Sequence, residues 1–158
     1  VCFHMTDVPF GRGGSPLQNL IVRGHTKTVV SALKMNEWID SGPVYLKRSL
    51  DLTGSALDIF QRTAPVCFEM MHKIQMEEMT PVEQEGEPTI YKRRTCAESR
   101  IPEVLSINKL YDFVRMLDAP NYPKAFFSYG DFRIEMFNAR INNDETLSAD
   151  VKVTKHEK

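Results

Sequence analysis

The sequence lacks the features that would place it in a membrane or nucleic-acid class at first sight. No apolar run approaches the about 20 residues that a membrane-spanning helix needs, so no membrane association is expected. No long block of one charge occurs, because 20 Lys and Arg residues balance 21 Asp and Glu residues, for a net charge of −1. Charge alone therefore does not favour nucleic acid as the main partner.

The sequence is also poor in cysteine and has no metal-binding pattern. Its three cysteines, Cys2, Cys67 and Cys96, are an odd number without a C-x-x-C spacing. This usage predicts free thiols in a reducing compartment, which favours a cytoplasmic location. The histidines do not have the spacing of metal ligands either, so we expect no metal.

Strand and helix patterns alternate in the first two thirds of the chain. The 158 residues, 42% of them apolar, suffice for a buried core. The predicted elements are a strand at 1–3, a helix capped by Ser15 that ends near Gly24, and strands at 26–35 and 44–50. A long helix is predicted after Ser55, and Pro65 is expected to kink it or to divide it into two abutting helices.

The last third predicts a smaller mixed element. Its expected parts are a short strand at 89–92, a helix capped by Ser106, a hairpin that turns at Gly130-Asp131, and one more strand near 151–154. The order predicts an α/β fold: the late half of an α/β sheet domain, followed by a short helix and β-hairpin appendage. We expect the two units to be residues 1–103 and 104–158.

Two side chains are candidates for acid–base chemistry. His4 ends the first apolar strand, and an imidazole can accept a proton near pH 7 or, as a cation, stabilise an oxyanion. Asp40 lies in a turn between two predicted strands, where α/β sheets often place ligand-binding groups. A carboxylate beside His4 would hold its tautomer, but a locally bonded histidine and a turn-starting aspartate remain the structural alternatives.

Two further segments are candidates for binding anions. The loop Gly11–Gly14, with Arg12, could present backbone N–H groups to an anion, or it could be a flexible turn. The basic cluster Lys92–Arg94 could meet a phosphate or a nucleotide diphosphate, although a solvated charged edge is the more frequent explanation.

Several of these motifs together carry a family resemblance. The segment Phe3–Gln18 resembles the H-x-S-L-L-P-x-x-R-G-x-x-P-x-Q signature of 10-formyltetrahydrofolate-dependent formyltransferases. Ile39–Gly42 resembles the L-D-T-G turn of this family, and Tyr91–Thr95 resembles an R-R-T segment of its sugar-nucleotide branch. The resemblance spans roughly Val1 to Val153 and implies that the sheet domain is the C-terminal part of a Rossmann-like formyltransferase domain.

The resemblance also implies roles for individual residues. His4 and Asp40 match the catalytic pair, and the formyl donor would be 10-formyltetrahydrofolate. The residues implied in binding the acceptor are Arg12, Gly13, Gln18, Arg93 and Arg94; those implied in contacting the folate are Trp38, Ile39 and Asp40. No metal is implied, and a homodimer is one oligomeric option.

The sequence departs from the family pattern in three places. Cys2 stands where the family usually has an asparagine that polarises the formyl oxygen, and a thiol is a poor donor. Met5–Pro9 replaces S-L-L-P and adds the charge of Asp7 near His4. The upstream half of the family's sheet is absent, so we expect the sequence to be a fragment that exposes a sheet edge.

These motifs favour one acceptor over another. The R-R-T resemblance and the lack of a large basic C-terminal domain favour an amine on a sugar nucleotide over methionyl-tRNA. A methionyl-tRNA formyltransferase, or a non-catalytic formyltransferase-like binding protein, remains the alternative.

Overall fold

The described residues form two antiparallel three-stranded sheets, one two-stranded parallel pair, a long helix and two shorter helices. A computed structural model describes residues 1–143 and 146–155. The strands are β1 (Cys2–His4), β2 (Arg12–Gly13), β3 (Lys27–Leu33), β4 (Val44–Asp51), β5 (Ile90–Tyr91), β6 (Ala125–Tyr129), β7 (Phe132–Asn143) and β8 (Thr146–Lys155). The helices are α1 (Pro16–Val22), α2 (Ala56–Met76) and α3 (Ile107–Arg115), and a 3-10 turn covers Cys96–Ser99. Within these described ranges, no helix is long and apolar enough to cross a membrane.

The first sheet has the order β1-β3-β4 and carries the candidate catalytic histidine at its edge. Both pairings are antiparallel, and His4 lies opposite Ser31 in the register. The strands predicted at 26–35 and 44–50 are therefore confirmed as β3 and β4. β2 and β5 form a separate two-stranded parallel pair that ties the glycine-rich loop to the Tyr91 segment.

Helix α2 begins at a reciprocal cap, as predicted. The Ser55 hydroxyl accepts from the Asp58 backbone N–H, and the Asp58 carboxylate accepts from the Ser55 N–H at 2.8 Å. The helix then continues through Pro65 as one element, so of the two expectations there, a kink or two abutting helices, the second is wrong and the first stays a prediction. Proline removes only one backbone bond, and the buried side chains on either side of it, among them Ile59 and Met70, hold the helix against the core.

We expect Ser55→Ala to lower the free energy of unfolding by about 1 kcal/mol, because it removes this cap. The Ser55 side-chain bond lowers the pKa of Asp58 below its ordinary value. A lowered carboxylate pKa stabilises the fold above about pH 4 and loses that effect as the pH falls, so the difference between the variant and the parent should narrow in acid to the part that comes from the bond of the Asp58 N–H to the Ser55 hydroxyl. Urea unfolding at two pH values measures this, and Ser49→Ala, at an exposed position of β4, is the control. Equal midpoints for Ser55→Ala and the parent at neutral pH would contradict the capping role.

The start of α1 differs from the prediction. Pro16 does open the helix, but Ser15 has a left-handed backbone (φ 50°) and makes no side-chain cap. Its hydroxyl instead accepts from the Arg94 backbone N–H at 3.1 Å. A cap requires an extended backbone at that position, so the tertiary contact with Arg94 replaces the local bond.

One hydrophobic core joins the two ends of the chain. It is built from buried side chains of α1, β3, β4, α2, α3 and β6: Leu17, Leu20, Ile21, Val30, Ala32, Leu50, Ile59, Met70, Phe113, Val114 and Ala125. Arg115 crosses this interface, since its Nη1 donates to the Leu52 carbonyl at 2.6 Å and to the Gly54 carbonyl at 2.9 Å. Helix α3 is thus bonded to the backbone that follows the last strand of the first sheet.

The second sheet has the order β6-β7-β8. The predicted hairpin at Gly130-Asp131 is confirmed, and Gly130 has the positive φ (55°) that a tight hairpin turn needs. The strand expected near 151–154 is part of the ten-residue strand β8. The apolar residues Leu147, Ala149, Val151 and Val153 alternate with polar ones along this strand, so the pattern of a strand extends over all of β8, beyond the predicted segment.

Candidate active site

His4 lies at the end of β1 and is almost completely buried, with 6% of its surface exposed. Its Nε2 is 2.8 Å from the Gly11 carbonyl oxygen, and its Nδ1 is 3.3 Å from Oδ2 of Asp40. Both ring nitrogens therefore face an acceptor. An imidazolium satisfies this arrangement with two N–H donors, whereas a neutral ring can donate to only one of the two.

Asp40 reaches this position because its turn is tightly constrained. The residue itself has a left-handed backbone with φ 52°. Its Oδ2 accepts from the Gly13 backbone N–H at 2.9 Å as well as facing His4. The structure thus brings together three residues that the sequence singled out, His4, Asp40 and Gly13, although they come from three different segments.

Gly42 holds the same turn against its neighbouring strand. A β-carbon at this position would lie 1.7 Å from the backbone carbonyl oxygen of Lys34, so no larger side chain fits without moving the backbone. Asp40 is two residues away, and a shift of the turn would move its carboxylate relative to His4.

We expect Gly42→Ala to cost about 1–3 kcal/mol of folding free energy through this overlap. It should also lower any activity that depends on Asp40. Gly24→Ala is the comparison, because Gly24 has a positive φ but open space around it and lies outside the site. Gly24→Ala should add only backbone strain and leave the activity unchanged. Thermal unfolding together with initial rates checks both variants, and an unchanged rate for Gly42→Ala would show that the turn tolerates the shift.

A cavity of about 290 Å³ opens beside Asp40. The residues implied in folate contact, Trp38 and Ile39, line it together with Asp40 and Cys2. Trp38 is 75% exposed and Ile39 is 77% exposed, so they present a broad apolar surface next to a carboxylate. Apolar walls with a few polar groups are typical of small-molecule sites.

Cys2 lies on β1 two residues before His4, so the two side chains share a face of the strand. Burial and the nearby charge of Asp40 raise the pKa of the Cys2 thiol. The group that replaces the family's asparagine is therefore a protonated thiol at neutral pH, a weak hydrogen-bond donor at the wall of the cavity.

The remaining predicted residues line two neighbouring cavities. Gln18, Arg93 and Arg94 line one of about 210 Å³, where the Gln18 amide is buried and donates to the Met116 carbonyl at 3.3 Å. Arg93 also lines a cavity of about 310 Å³ with Arg12 and Gly13, next to the Asp40 turn. Arg93 thus lines both of these cavities.

The glycine-rich loop is not an open anion cradle. Each of its four backbone N–H groups, from Gly11 to Gly14, already donates inside the protein: to the Thr89 hydroxyl, the Thr89 carbonyl, Asp40 and the Tyr91 carbonyl, in chain order. The anion-binding interpretation of these N–H groups is therefore wrong.

Two charged residues near the site already have partners. The Arg12 guanidinium donates to Oε1 of Gln84 at 3.1 Å and 2.8 Å. Asp7, expected to add charge near His4, forms an ion pair with Lys47 and is 64% exposed. Gln84 was not predicted, because a glutamine in an exposed acidic loop carries no sequence signal for such a contact.

Comparisons with known proteins give the family to which the chain belongs. Residues 96–154 match the family model for the C-terminal domain of methionyl-tRNA formyltransferase. The solved methionyl-tRNA formyltransferase from Clostridium thermocellum is 44% identical, with a TM-score of 0.95, and the alignment covers 98% of this chain and 68% of that one. The chain therefore belongs to the formyltransferase family that includes methionyl-tRNA formyltransferase, and the resemblance and the fold class predicted from the sequence are confirmed.

Two further comparisons show how much of the length of related proteins the chain covers. The methionyl-tRNA formyltransferase of Rickettsia massiliae is 28% identical over 145 residues, which are 89% of this chain and 47% of that protein. The chain thus spans about half the length of the curated relatives it matches. HypX from Aquifex aeolicus, solved in complex with tetrahydrofolic acid, shares the fold with a TM-score of 0.68 at 18% identity, over 87% of this chain and 25% of that one.

Proposed function

We propose that the protein transfers a formyl group from 10-formyltetrahydrofolate to the primary amine of methionyl-tRNA. The observation that carries the proposal is the 3.3 Å approach of His4 Nδ1 to Asp40 Oδ2, in a chain that is 44% identical to a methionyl-tRNA formyltransferase. His4 and Asp40 are the catalytic residues of this proposal.

The cavity beside Asp40 suits the formyl donor. The exposed faces of Trp38 and Ile39 offer apolar area for a flat pterin ring, and Asp40 can accept a hydrogen bond from it. Its volume, about 290 Å³, lies at the lower end of ligand-binding cavities, which are about 300–1,000 Å³. These residues therefore fit one end of the folate.

The chemistry follows from the orientation of the pair. The acceptor amine attacks the formyl carbon, negative charge develops on the formyl oxygen, and the bond from that carbon to N10 of the folate then breaks. The attacking nitrogen loses one proton and N10 gains one, so tetrahydrofolate leaves. In the structure Nε2 of His4 faces the Gly11 carbonyl, so His4 stabilises the oxyanion or carries this proton when Nε2 exchanges that carbonyl for the substrate, while Asp40 holds the ring and balances its positive charge.

The acceptor in this proposal is methionyl-tRNA, whereas the sequence motifs favoured a sugar nucleotide. The change rests on the two methionyl-tRNA formyltransferases described above, which are 44% and 28% identical to this chain. An amino-sugar nucleotide remains the second candidate because Arg93 and Arg94 flank Gln18 in one cavity, where a diphosphate could bind. In either case, Arg12, Gly13, Gln18, Arg93 and Arg94 are the proposed acceptor-side residues.

The test is release of tetrahydrofolate by the full-length protein mixed with 10-formyltetrahydrofolate and one acceptor at a time. We expect release with methionyl-tRNA and formation of formyl-methionyl-tRNA. Release only with UDP- or dTDP-amino sugars would favour the second candidate. Formate release without an amine would indicate hydrolysis, and no release with any acceptor would favour a non-catalytic binding protein.

A further inference from the structure

Gln84 uses the complete hydrogen-bonding capacity of its side-chain amide at the edge of the site. Its Nε2 donates to the carbonyl oxygens of Asp40 (2.9 Å) and Gly42 (2.8 Å). Its Oε1 accepts two bonds from the Arg12 guanidinium. We infer that Gln84 is a positioning residue that fixes the Asp40 carboxylate for the reaction; this inference rests on the proposed function.

Only one orientation of the amide satisfies these contacts. A primary amide has two N–H donors and one oxygen with two lone pairs. Rotated by 180°, the Gln84 side chain would place its oxygen against two carbonyls and its NH₂ group against the Arg12 donors, and all four bonds would be lost. The contact is therefore specific to an amide, and neither a carboxylate nor an alkyl group can replace it.

The backbone that carries Gln84 is anchored on both sides. Two residues before it, Val82 pairs with Val44 at the start of β4 through reciprocal backbone bonds of 2.7 Å and 2.9 Å. Five residues after it, Thr89 bonds to the backbone of Pro9 and Arg12. An otherwise exposed loop thus holds the Gln84 amide at a fixed place between the turn and the glycine-rich loop.

These bonds close a ring around the Asp40 carboxylate. Gln84 binds the backbone of the Asp40 turn on one side and Arg12 on the other. Gly13, the residue after Arg12, donates its N–H to Oδ2 of Asp40, the atom that faces His4. Movement of the Asp40 turn or of the glycine-rich loop would change the distance between Asp40 and His4. The Gln84 side chain bonds to both segments and so resists the movement of each.

We expect Gln84→Ala to lower kcat about 10²-fold, since a displacement of about 1 Å in a catalytic group can cost that much. KM for 10-formyltetrahydrofolate should rise as well, because Gln84 binds the carbonyls of Asp40 and Gly42, which line the donor cavity. Gln84→Glu keeps an acceptor for Arg12 but no donor for the turn, so it should not restore the rate. Glu85→Ala, at the exposed next position, is the matched control and should keep the parent rate.

Dependence on Asp40 separates positioning from a general structural role. In an Asp40→Asn background, the additional loss from Gln84→Ala should be small, because both changes act on the same carboxylate. If the fold losses in kcat of the two single variants multiplied in full in the double variant, the inference would be overturned.

Amide hydrogen exchange provides a readout that needs no activity. The Gly13 N–H should exchange faster in full-length Gln84→Ala than in the parent or in Glu85→Ala, since its acceptor, Asp40, is less well fixed. Unchanged protection of Gly13 would overturn the inference even if the rate fell. If the parent protein transfers no formyl group to any acceptor, the proposed function fails, while the exchange experiment still decides the role of Gln84.

Discussion

Formyl transfer by the His4→Asn protein is expected to fall about 10²–10⁴-fold, the range that a positioned acid–base group contributes. His4 is buried and its Nδ1 is 3.3 Å from Asp40, so no solvent molecule or neighbouring side chain can readily replace it. Asparagine is polar and of similar size, which limits the disturbance of β1. Initial rates of tetrahydrofolate release with methionyl-tRNA measure the effect.

His72→Asn is the matched control for this variant. His72 lies on the exposed face of α2, and among the residues that the structure describes no hydrogen bond or ion pair joins it to the site. Its substitution should leave both the rate and the unfolding midpoint unchanged. If His4→Asn kept the parent rate, His4 would be a structural residue of the strand end and the proposed chemistry would be wrong.

Asp40→Asn is expected to lower kcat by about 10²–10⁴-fold, because a neutral amide cannot balance the charge of an imidazolium and can hold the wrong tautomer. The asparagine oxygen can still accept from the Gly13 N–H, so the turn should keep its shape. We therefore expect a large loss of kcat with a small change in the melting temperature. Steady-state kinetics combined with thermal unfolding check this pattern.

Asp7→Asn tests whether the catalytic effect of Asp40 comes only from having a negative charge near the glycine-rich loop. Asp7 is in the same opening segment, but it pairs with Lys47 and is 64% exposed. Its neutralisation should leave kcat close to the parent value. Equal losses for Asp7→Asn and Asp40→Asn would mean that the general field of the segment, and not the contact with His4, controls the rate.

Local rules predicted much of the fold from the sequence. The Ser55 cap, the Ser106 cap and the Gly130 hairpin turn each depend on residues within a few positions of one another, and each was found where expected. Local rules failed where distant contacts compete with them. Ser15 makes no side-chain cap, because its hydroxyl accepts a bond from the Arg94 N–H. Helix α2 includes Pro65 because tertiary packing holds the residues on both sides of it.

The candidate site, like the fold, could be predicted from the sequence only in part. His4 and Asp40 are residue types with recognised chemistry, and their resemblance to a known pattern identified them before the geometry was known. Gln84 and the occupied N–H groups of Gly11–Gly14 were not predictable, since their partners are fixed only by how the Asp40 turn and the loop at 80–91 fold against the glycine-rich loop. A side chain whose only function is to orient another leaves no periodicity or spacing in the sequence.

The most direct test of the account follows isotope-labelled formyl carbon through a single turnover of the full-length protein. Enzyme in excess is mixed with labelled 10-formyltetrahydrofolate and methionyl-tRNA, and the products are quenched and separated. The account predicts that the label appears as a formamide on the methionyl nitrogen in the parent and in His72→Asn, and far more slowly in His4→Asn. Label that remains on the folate in the parent, or moves equally fast in His4→Asn, would contradict it.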